Sequence, residues 1–341
     1  MKTKIVYVVA SLDDDIYMEQ MIVSAWSARY HNPDCKIVLV CDQDTYNASI
    51  QGVLGKHIDL FTQILVKHFQ PEQSMTERSR LMKTNIRNIL NGDLLYLDTD
   101  TIVCGNLSYV DSFSFDLGFV FDNNCSFDRY IIRKPIIQKM KKFFDMDVSE
   151  EKVYYNGGVF YTKDTDSNRS FFNHWNELWK YSKEQHGELK DQQPLMKANI
   201  DLGYPITEMT GNLNCQVVAS VQYLHTADVI HIYNCFMGKD SSIFPFYEDS
   251  VFYNIKKFGL TQEIKENTLN CKSMIASPSM PVPLEGALLW RANVSGGHLM
   301  QDIANSNSYR IIYFIWHRFP SLMRVIEKIF GLLICVFKKF T

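Results

Sequence analysis

The first third of the chain alternates apolar, β-branched runs with segments of helical periodicity, and few folds accommodate that order. Ile5 to Val9 suits a strand buried on both faces. Met18, Met21, Ile22, Ala25 and Trp26 then recur at i, i+3, i+4, i+7 and i+8, one face of a helix. Lys36 to Cys41 reads as a second strand and Ile58 to Val66 as a third. This order predicts an α/β fold with a mainly parallel central sheet. Farther on, Leu117 to Phe121 and Gly158 to Thr162 read as strands, and Lys134 to Phe144 and Phe171 to Tyr181 as helices. Beyond Pro245 the alternation fades, and residues 246–304 mix Pro, Gly and Ser with short apolar runs that define no fold.

Leu94-Leu95-Tyr96-Leu97-Asp98-Thr99-Asp100 is a short apolar run ending in two carboxylates one residue apart. In an extended strand, side chains at i and i+2 share a face, which would aim Asp98 and Asp100 at one point. Paired carboxylates repel unless a cation or proton lies between them, so the pair predicts a divalent metal with positions open to phosphate oxygens. The bland alternative is a solvated loop end. A helix from about Thr76 to Leu90 leads into this strand, with Arg80, Lys83 and Arg87 on one face and Met82, Ile86 and Ile89 on the other. The basic face is either solvated, or it brings Arg80, or Arg78 just before it, over the carboxylates to meet a diphosphate. Arginine suits bidentate phosphate contacts.

Composition narrows the partners. A net charge of −3 gives no electrostatic case for nucleic-acid binding. The eight cysteines are scattered without a C-x-x-C pair, which reads as reduced thiols of a cytosolic protein. The apolar run after Lys2 and Lys4 is too short for a secretory leader. From Ser321 to Phe340, Leu322, Val325, Ile326, Ile329, Phe330, Leu333, Val336 and Phe337 share one broad helical face, with Arg324, Lys328, Lys338 and Lys339 on the other. That pattern predicts an amphipathic helix lying in a membrane interface, since Ile329 to Phe337 is too short to span a bilayer. The alternative is a helix docked on the protein's own core or on a second subunit.

Ser79-Arg80-Leu81, the Asp98-Thr99-Asp100 strand end, Tyr155-Asn156-Gly157-Gly158-Val159-Phe160, Asp191-Gln192-Gln193 and Val229-Ile230-His231 fall in an order that resembles glycosyltransferase family 8. The similarity covers about residues 1 to 240 and is to its lipopolysaccharide galactosyl- and glucosyltransferase-like members. It implies a GT-A fold, a nucleotide-sugar donor and retention of anomeric configuration. Asp98, Asp100 and His231 would hold Mn²⁺ or Mg²⁺, a cation set that suits one imidazole and two carboxylates. Around it, Arg80, Thr99 and Lys239 would face the donor diphosphate, and Ala10, Asp13 and Asp14 the uridine. Asn156 would hydrogen-bond the donor sugar or acceptor, while Gly157 and Gly158 let the backbone approach closely. Asp191 would bind sugar hydroxyls and Gln192 would sit near the anomeric carbon. If the enzyme inverted instead, Asp191 could serve as the base. The chain departs from the family pattern after His231, where Gly238-Lys239 lack a following Pro-Trp, and at Gln193, where an Asp is common.

The expectation is therefore a catalytic domain over residues 1–245, an extension over 246–304 and a membrane-associating tail over 305–341. The activity expected is hexosyl transfer from a UDP-sugar to a saccharide or lipid-linked glycan, in surface polysaccharide or lipopolysaccharide synthesis at the cytoplasmic face of the cell membrane. The rival enzyme is a haloacid dehalogenase-type phosphatase with Asp98 as nucleophile. The rival of a different class is a non-catalytic sugar-nucleotide-binding scaffold.

Overall fold

The structure, a computed structural model, describes residues 1–12, 14–130, 133–217, 219–232, 246, 249–276, 311 and 318. Asp13, Lys239 and almost all of the 305–341 tail lie outside the described residues. The chain opens with β1 (Lys4–Val9), α1 (Tyr17–His31), β2 (Ile37–Asp42), α2 (Gln43–Ile50), α3 (Val53–Lys56) and β3 (Gln63–Lys67). It continues through α4 (Met75–Thr84), α5 (Ile86–Ile89), β4 (Leu94–Leu97), β5 (Thr101–Val103), β6 (Leu117–Phe121), α6 (Arg133–Phe144) and β7 (Tyr155–Thr162). Then come α7 (Asp166–His186), α8 (Gln192–Asp201), β8 (Thr207–Glu208), β9 (Cys215–Gln216), β10 (Val229–His231), α9 (Asp249–Phe258), α10 (Gln262–Leu269) and α11 (Cys271–Ile275).

Among the described residues, seven strands form the central sheet in the order β3-β2-β1-β4-β7-β6-β8. Neighbours are parallel except where β7 runs against β4 and β6. The mixed α/β class and mainly parallel sheet are those expected from sequence, consistent with the GT-A architecture that the resemblance implied. The unbroken apolar character of β1 follows from burial on both faces. Ile5, Tyr7 and Val9 join one apolar cluster with α1, while Val6, Val8 and Ala10 join another with α4 and α7. A second sheet of three strands, ordered β5-β10-β9, flanks the carboxyl end of β4.

This wiring places a cleft. From β1 the chain builds outward through β2 and β3, then returns to add β4 on the other side of β1. A doubly wound sheet opens a crevice at such a switch point, beyond the carboxyl ends of the two strands. Val8 to Ala10, with Tyr96, Asp98, Thr99 and Asp100, line an open cleft of about 180 Å³ there.

Three local expectations are corrected. The helix read over Thr76–Leu90 is two helices, α4 and α5, broken at Asn85. A capping box of Ser74 and Glu77 starts α4. The third strand begins only at Gln63, because Ile58–Leu60 forms a tight 3₁₀ turn. The basic face is not solvated: Lys83 and Arg87 are buried and Arg80 is half-buried. Residues 249–276 of the extension form α9 to α11, whose Phe252, Ile255, Ile264, Cys271 and Ile275 pack into the same cluster as α1.

Arg78 fastens α4 to the sheet. Its guanidinium lies 2.6 Å from the fully buried Asp42 at the end of β2 and 2.5 Å from the more exposed Asp44. Only the buried half of that pair carries much weight. Arg78→Met should leave Asp42 buried with the Thr45 hydroxyl as its remaining partner. It is expected to cost roughly 3–5 kcal/mol, read from urea unfolding of the full chain.

Candidate active site

The two aspartates do not lie on a continuous strand. β4 ends at Leu97, residues 98–100 turn, and Thr101 opens β5 in the other sheet. The motif is thus the junction between two sheets, and convergence comes from the turn and not from strand pleat. The Asp98 N–H donates to Gly158 O at 2.7 Å, fixing the first aspartate against β7. Asp100 is fixed from the second sheet. β10 pairs antiparallel with β5, sets His231 opposite Thr101, and lets the Ile232 N–H donate to Asp100 O at 2.7 Å. One ligand atom from each of Asp98, Asp100 and His231 falls within 4.8 Å of the others. His231 is buried, and the carboxylates are a quarter or less exposed, 25% for Asp98 and 22% for Asp100. Two hard oxygen donors and one imidazole nitrogen suit Mn²⁺ and accept Mg²⁺.

A buried lysine organises the floor. The Lys83 ammonium, its side chain only 2% exposed, lies 3.2 Å from Asp98 Oδ1 and 3.2 Å from Asp191 Oδ2. It also sits 5.2 Å above the Tyr96 ring, whose hydroxyl donates to Asp98 Oδ1 at 2.7 Å. Burial opposes the charge on Asp98, but Lys83, His231, Arg80 and the Tyr96 hydroxyl outweigh it and keep its pKa low. Burial likewise opposes ionisation of Asp191, yet Lys83 and Arg80 bring its pKa down to about 2. Burial pushes the Tyr96 phenol up, so that it remains a donor. For His231, burial disfavours the imidazolium, but the Asp100 carboxylate, with its oxygen 3.1 Å from Nε2, more than compensates and raises the pKa.

Arg80 and Arg78 part company. Arg78 is consumed by Asp42 and Asp44, away from the cleft. Arg80 lines the cleft beside Asp98, Thr99 and Asp100, and its closest ionic contact is a loose 3.8 Å to Asp191 Oδ1. Asp191 chiefly, then Asp98, raises its pKa. This under-used guanidinium at the mouth is a donor set for an anion.

Other expected residues have defined places. Ala10 is buried at the end of β1 and lines the cleft, while Asp14 is exposed in the following loop. The neighbouring Asp15 shapes that loop by accepting from Ser11 Oγ and from the backbone of Leu12 and Tyr17. Asn156 is heavily engaged within the protein. Its oxygen accepts from the Gly158 N–H at 2.8 Å and from Asn214 Nδ2 at 3.0 Å, and its Nδ2 donates to Asp122 at 2.8 Å. Asp191 immediately precedes α8, and its side chain turns to Lys83 instead of capping the helix. Gln192 follows as the first, half-buried residue of that helix. Gly157 and Gly158 lie where the pairing of β6 with β7 skips from Phe160 to Asn156, a bulge that brings their backbone close to the site. A Cβ on Gly157 would lie 3.3 Å from Lys83 Nζ, and one on Gly158 only 2.3 Å from His231 Cε1.

Lys83, Tyr96 and Asn214 carried no expected site role. Lys83 had a signal, its place one turn from Arg80 on the same helical face. Asn214 had none, because only the pairing of β9 and β10 carries it to His231.

No family model matches the chain, and no curated protein matches it. Among solved structures it is similar to mouse xyloside xylosyltransferase 1 in its apo form, with a TM-score of 0.47 and 12% identity over 68% of this chain and 98% of that one. It is also similar to the glycosyltransferase GlyE of Streptococcus pneumoniae TIGR4, with a TM-score of 0.43 and 18% identity over 80% of this chain and 63% of that one. Likenesses at these TM-scores and identities carry no functional weight, which leaves the chemistry to the residues of the cleft.

Two outcomes are expected. Gly158→Ala should push the His231 ring off Asp100 and weaken Mn²⁺ binding by at least about tenfold, as followed by titration calorimetry, while most of the fold survives. Asp191→Asn should cost about 2 kcal/mol at neutral pH, the worth of a pKa held from 3.8 down to about 2. A depressed carboxylate pKa contributes stability above the unfolded value and loses it as pH falls through the folded one. The gap between wild type and variant should therefore close between about pH 4 and pH 2 in urea unfolding.

Proposed function

We propose that the chain is a metal-dependent glycosyltransferase of the family 8 kind, moving a hexose from a UDP-sugar to a saccharide or lipid-linked glycan. The observation that carries this reading is the meeting of Asp98, Asp100 and His231 at the mouth of a switch-point cleft, with Arg80 facing the same opening. A divalent cation held there would offset charge on the departing nucleoside diphosphate.

The chain's own residues supply the rest. Arg80 binds the diphosphate oxygens from the side of α4, where its loosely paired guanidinium lines the cleft. Tyr17, half-exposed on the cleft wall, offers a ring face to the base. Lys83 holds Asp98 and Asp191 in fixed positions and keeps both ionised. Gln192 projects from the N-terminus of α8 beside the sugar-binding Asp191.

Asp191, ionised down to about pH 2 and paired with Lys83, is a weak base for an acceptor hydroxyl at neutral pH. That weighs against inversion through Asp191 and supports retention. A phosphatase with Asp98 as nucleophile is disfavoured on similar grounds, since the Tyr96 hydroxyl and Lys83 ammonium blunt that carboxylate.

We further propose that residues 305–341 hold the enzyme on the cytoplasmic face of the cell membrane, where it would extend a surface polysaccharide or lipopolysaccharide. Among the described residues no helix is long and apolar enough to cross a membrane, and the tail's basic amphipathic pattern is what supports surface attachment.

Hydrolysis of UDP-, GDP- and CMP-sugars, with and without Mn²⁺, tests the activity. Release of UDP from a single sugar, dependent on Mn²⁺ and reduced at least about a hundredfold in Asp100→Ala, is the expected result. No turnover of any donor with an acceptor mixture supplied would overturn it. For the tail, a chain ending at residue 304 should stay in the supernatant when spun with anionic vesicles while retaining donor hydrolysis. Co-sedimentation of the shortened chain would sink the anchor.

A further inference from the structure

His231 is one end of a buried relay whose polarity can be read from the main chain. The Gly158 N–H can only donate, so the Asn156 atom it meets at 2.8 Å is the carbonyl oxygen. That leaves Asn156 Nδ2 to donate to the Asp122 carboxylate at 2.8 Å, which can only accept while ionised. The same Asn156 oxygen receives Asn214 Nδ2 at 3.0 Å. Asn214 therefore presents its own carbonyl oxygen to His231, and the ring nitrogen 3.0 Å away, Nδ1, must carry the proton. Nε2 is left facing Asp100 Oδ1 at 3.1 Å, beside Asp98. A bare nitrogen that close to a carboxylate oxygen is repulsive, so the position between Nε2 and Asp100 takes either a second proton or a cation.

The relay is buried throughout and tied on both sides. Asp122, Asn156, Asn214 and His231 are all buried, and Tyr130 donates its hydroxyl to the second Asp122 oxygen at 2.6 Å. The Asn214 backbone is held as well, its carbonyl accepting from Asn124 Nδ2 at 2.9 Å. A Cβ on Gly158 would strike both His231 and Asn156, so the ring and the amide are packed around that glycine.

We infer that Asn214, backed by Asn156 and Asp122, is a positioning residue that commits His231 Nδ1 as a donor and so presents Nε2 to a divalent cation. The inference rests on the metal-dependent reading above and adds residues that no part of the Asp98–Asp100–His231 motif contains. Ligating imidazoles depend on the hydrogen bond at their other nitrogen for tautomer, orientation and basicity.

Mn²⁺ titrations of the full chain, followed by electron paramagnetic resonance, test it. Asn214→Leu removes the acceptor at nearly constant volume and should weaken Mn²⁺ roughly 10- to 100-fold, with loss of the imidazole nitrogen coupling from the bound ion. Asn214→Asp keeps an acceptor for Nδ1 and should retain that coupling and most of the affinity. A role confined to packing would instead leave the leucine variant with wild-type affinity and coupling, and that result overturns the inference. Should the leucine variant not fold, wild-type protein labelled with ¹⁵N-histidine and loaded with Zn²⁺ gives the answer directly. A proton on Nδ1 of His231, assigned against His231→Gln, supports the relay, and a proton on Nε2 overturns it. Absence of Mn²⁺ binding by wild type would overturn the metal-dependent reading itself, and the relay's role with it. Wild-type binding that Asn214→Leu leaves unchanged removes the relay alone.

Discussion

The site depends on the burial of one ammonium. A lysine with its side chain 2% exposed is costly unless its charge is matched, and two carboxylates from distant parts of the chain match it here. Asp98 arrives at the end of β4 and Asp191 at the start of α8, while Lys83 itself comes from α4. Satisfying that one charge locks three elements together. It also explains why Asp191 forgoes the capping role usual for an aspartate before a helix. The Trp175 indole donates to Asp191 O at 2.9 Å, which pins the backbone at the helix entrance.

A second constraint is the change of sheet between Asp98 and Asp100. If β4 had simply continued, both carboxylates would follow the large sheet, and His231 in the smaller sheet would have no fixed relation to them. Because the turn carries the chain from one sheet to the other, each carboxylate takes its position from a different sheet: Gly158 anchors Asp98 and Ile232 anchors Asp100. The spacing of the cluster thus reports how the two sheets are packed. The positive φ values of Asn123 and Asn124 belong to the same seam. These asparagines adopt a backbone that few other non-glycine residues tolerate. From it, the Asn123 N–H donates to Gln216 Oε1 at 2.8 Å and Asn124 Oδ1 accepts from the Gln216 N–H at 3.0 Å.

The amino-acid sequence displays the parts of this arrangement that local rules control. The double-faced burial of β1 was legible as a β-branched run, and the acidic pair was legible as an unusual strand ending. What local rules do not control was misjudged for identifiable reasons. Arg80, Lys83 and Arg87 looked like one basic face because helical spacing says nothing about where distant carboxylates lie. Asp191 and Asp98 make Lys83 internal, and Arg87 is buried against Gly92 O at 2.9 Å. The break at Asn85 left no strong mark, since no Pro or Gly stands there. Asn214 was invisible because an asparagine in a short loop has many ordinary uses, and only strand pairing brings it to His231.

The balance of charge says how such a site can be loaded. Asp98, Asp100 and Asp191 place three carboxylates around the floor, against Lys83, Arg80 and an imidazole that is neutral once a cation displaces its proton. A diphosphate entering alone would meet no surplus of positive charge in a partly buried cleft, where screening is weak. A divalent cation entering alone would leave the cleft net positive beside two side-chain cations it cannot neutralise. Each charge is better accommodated in the presence of the other, so the proposed cation and donor should bind with positive coupling. Arg80, loosely held and at the mouth, is placed to take up the diphosphate charge that this coupling brings in, whereas Lys83, fully committed below, keeps the carboxylates ionised to receive it.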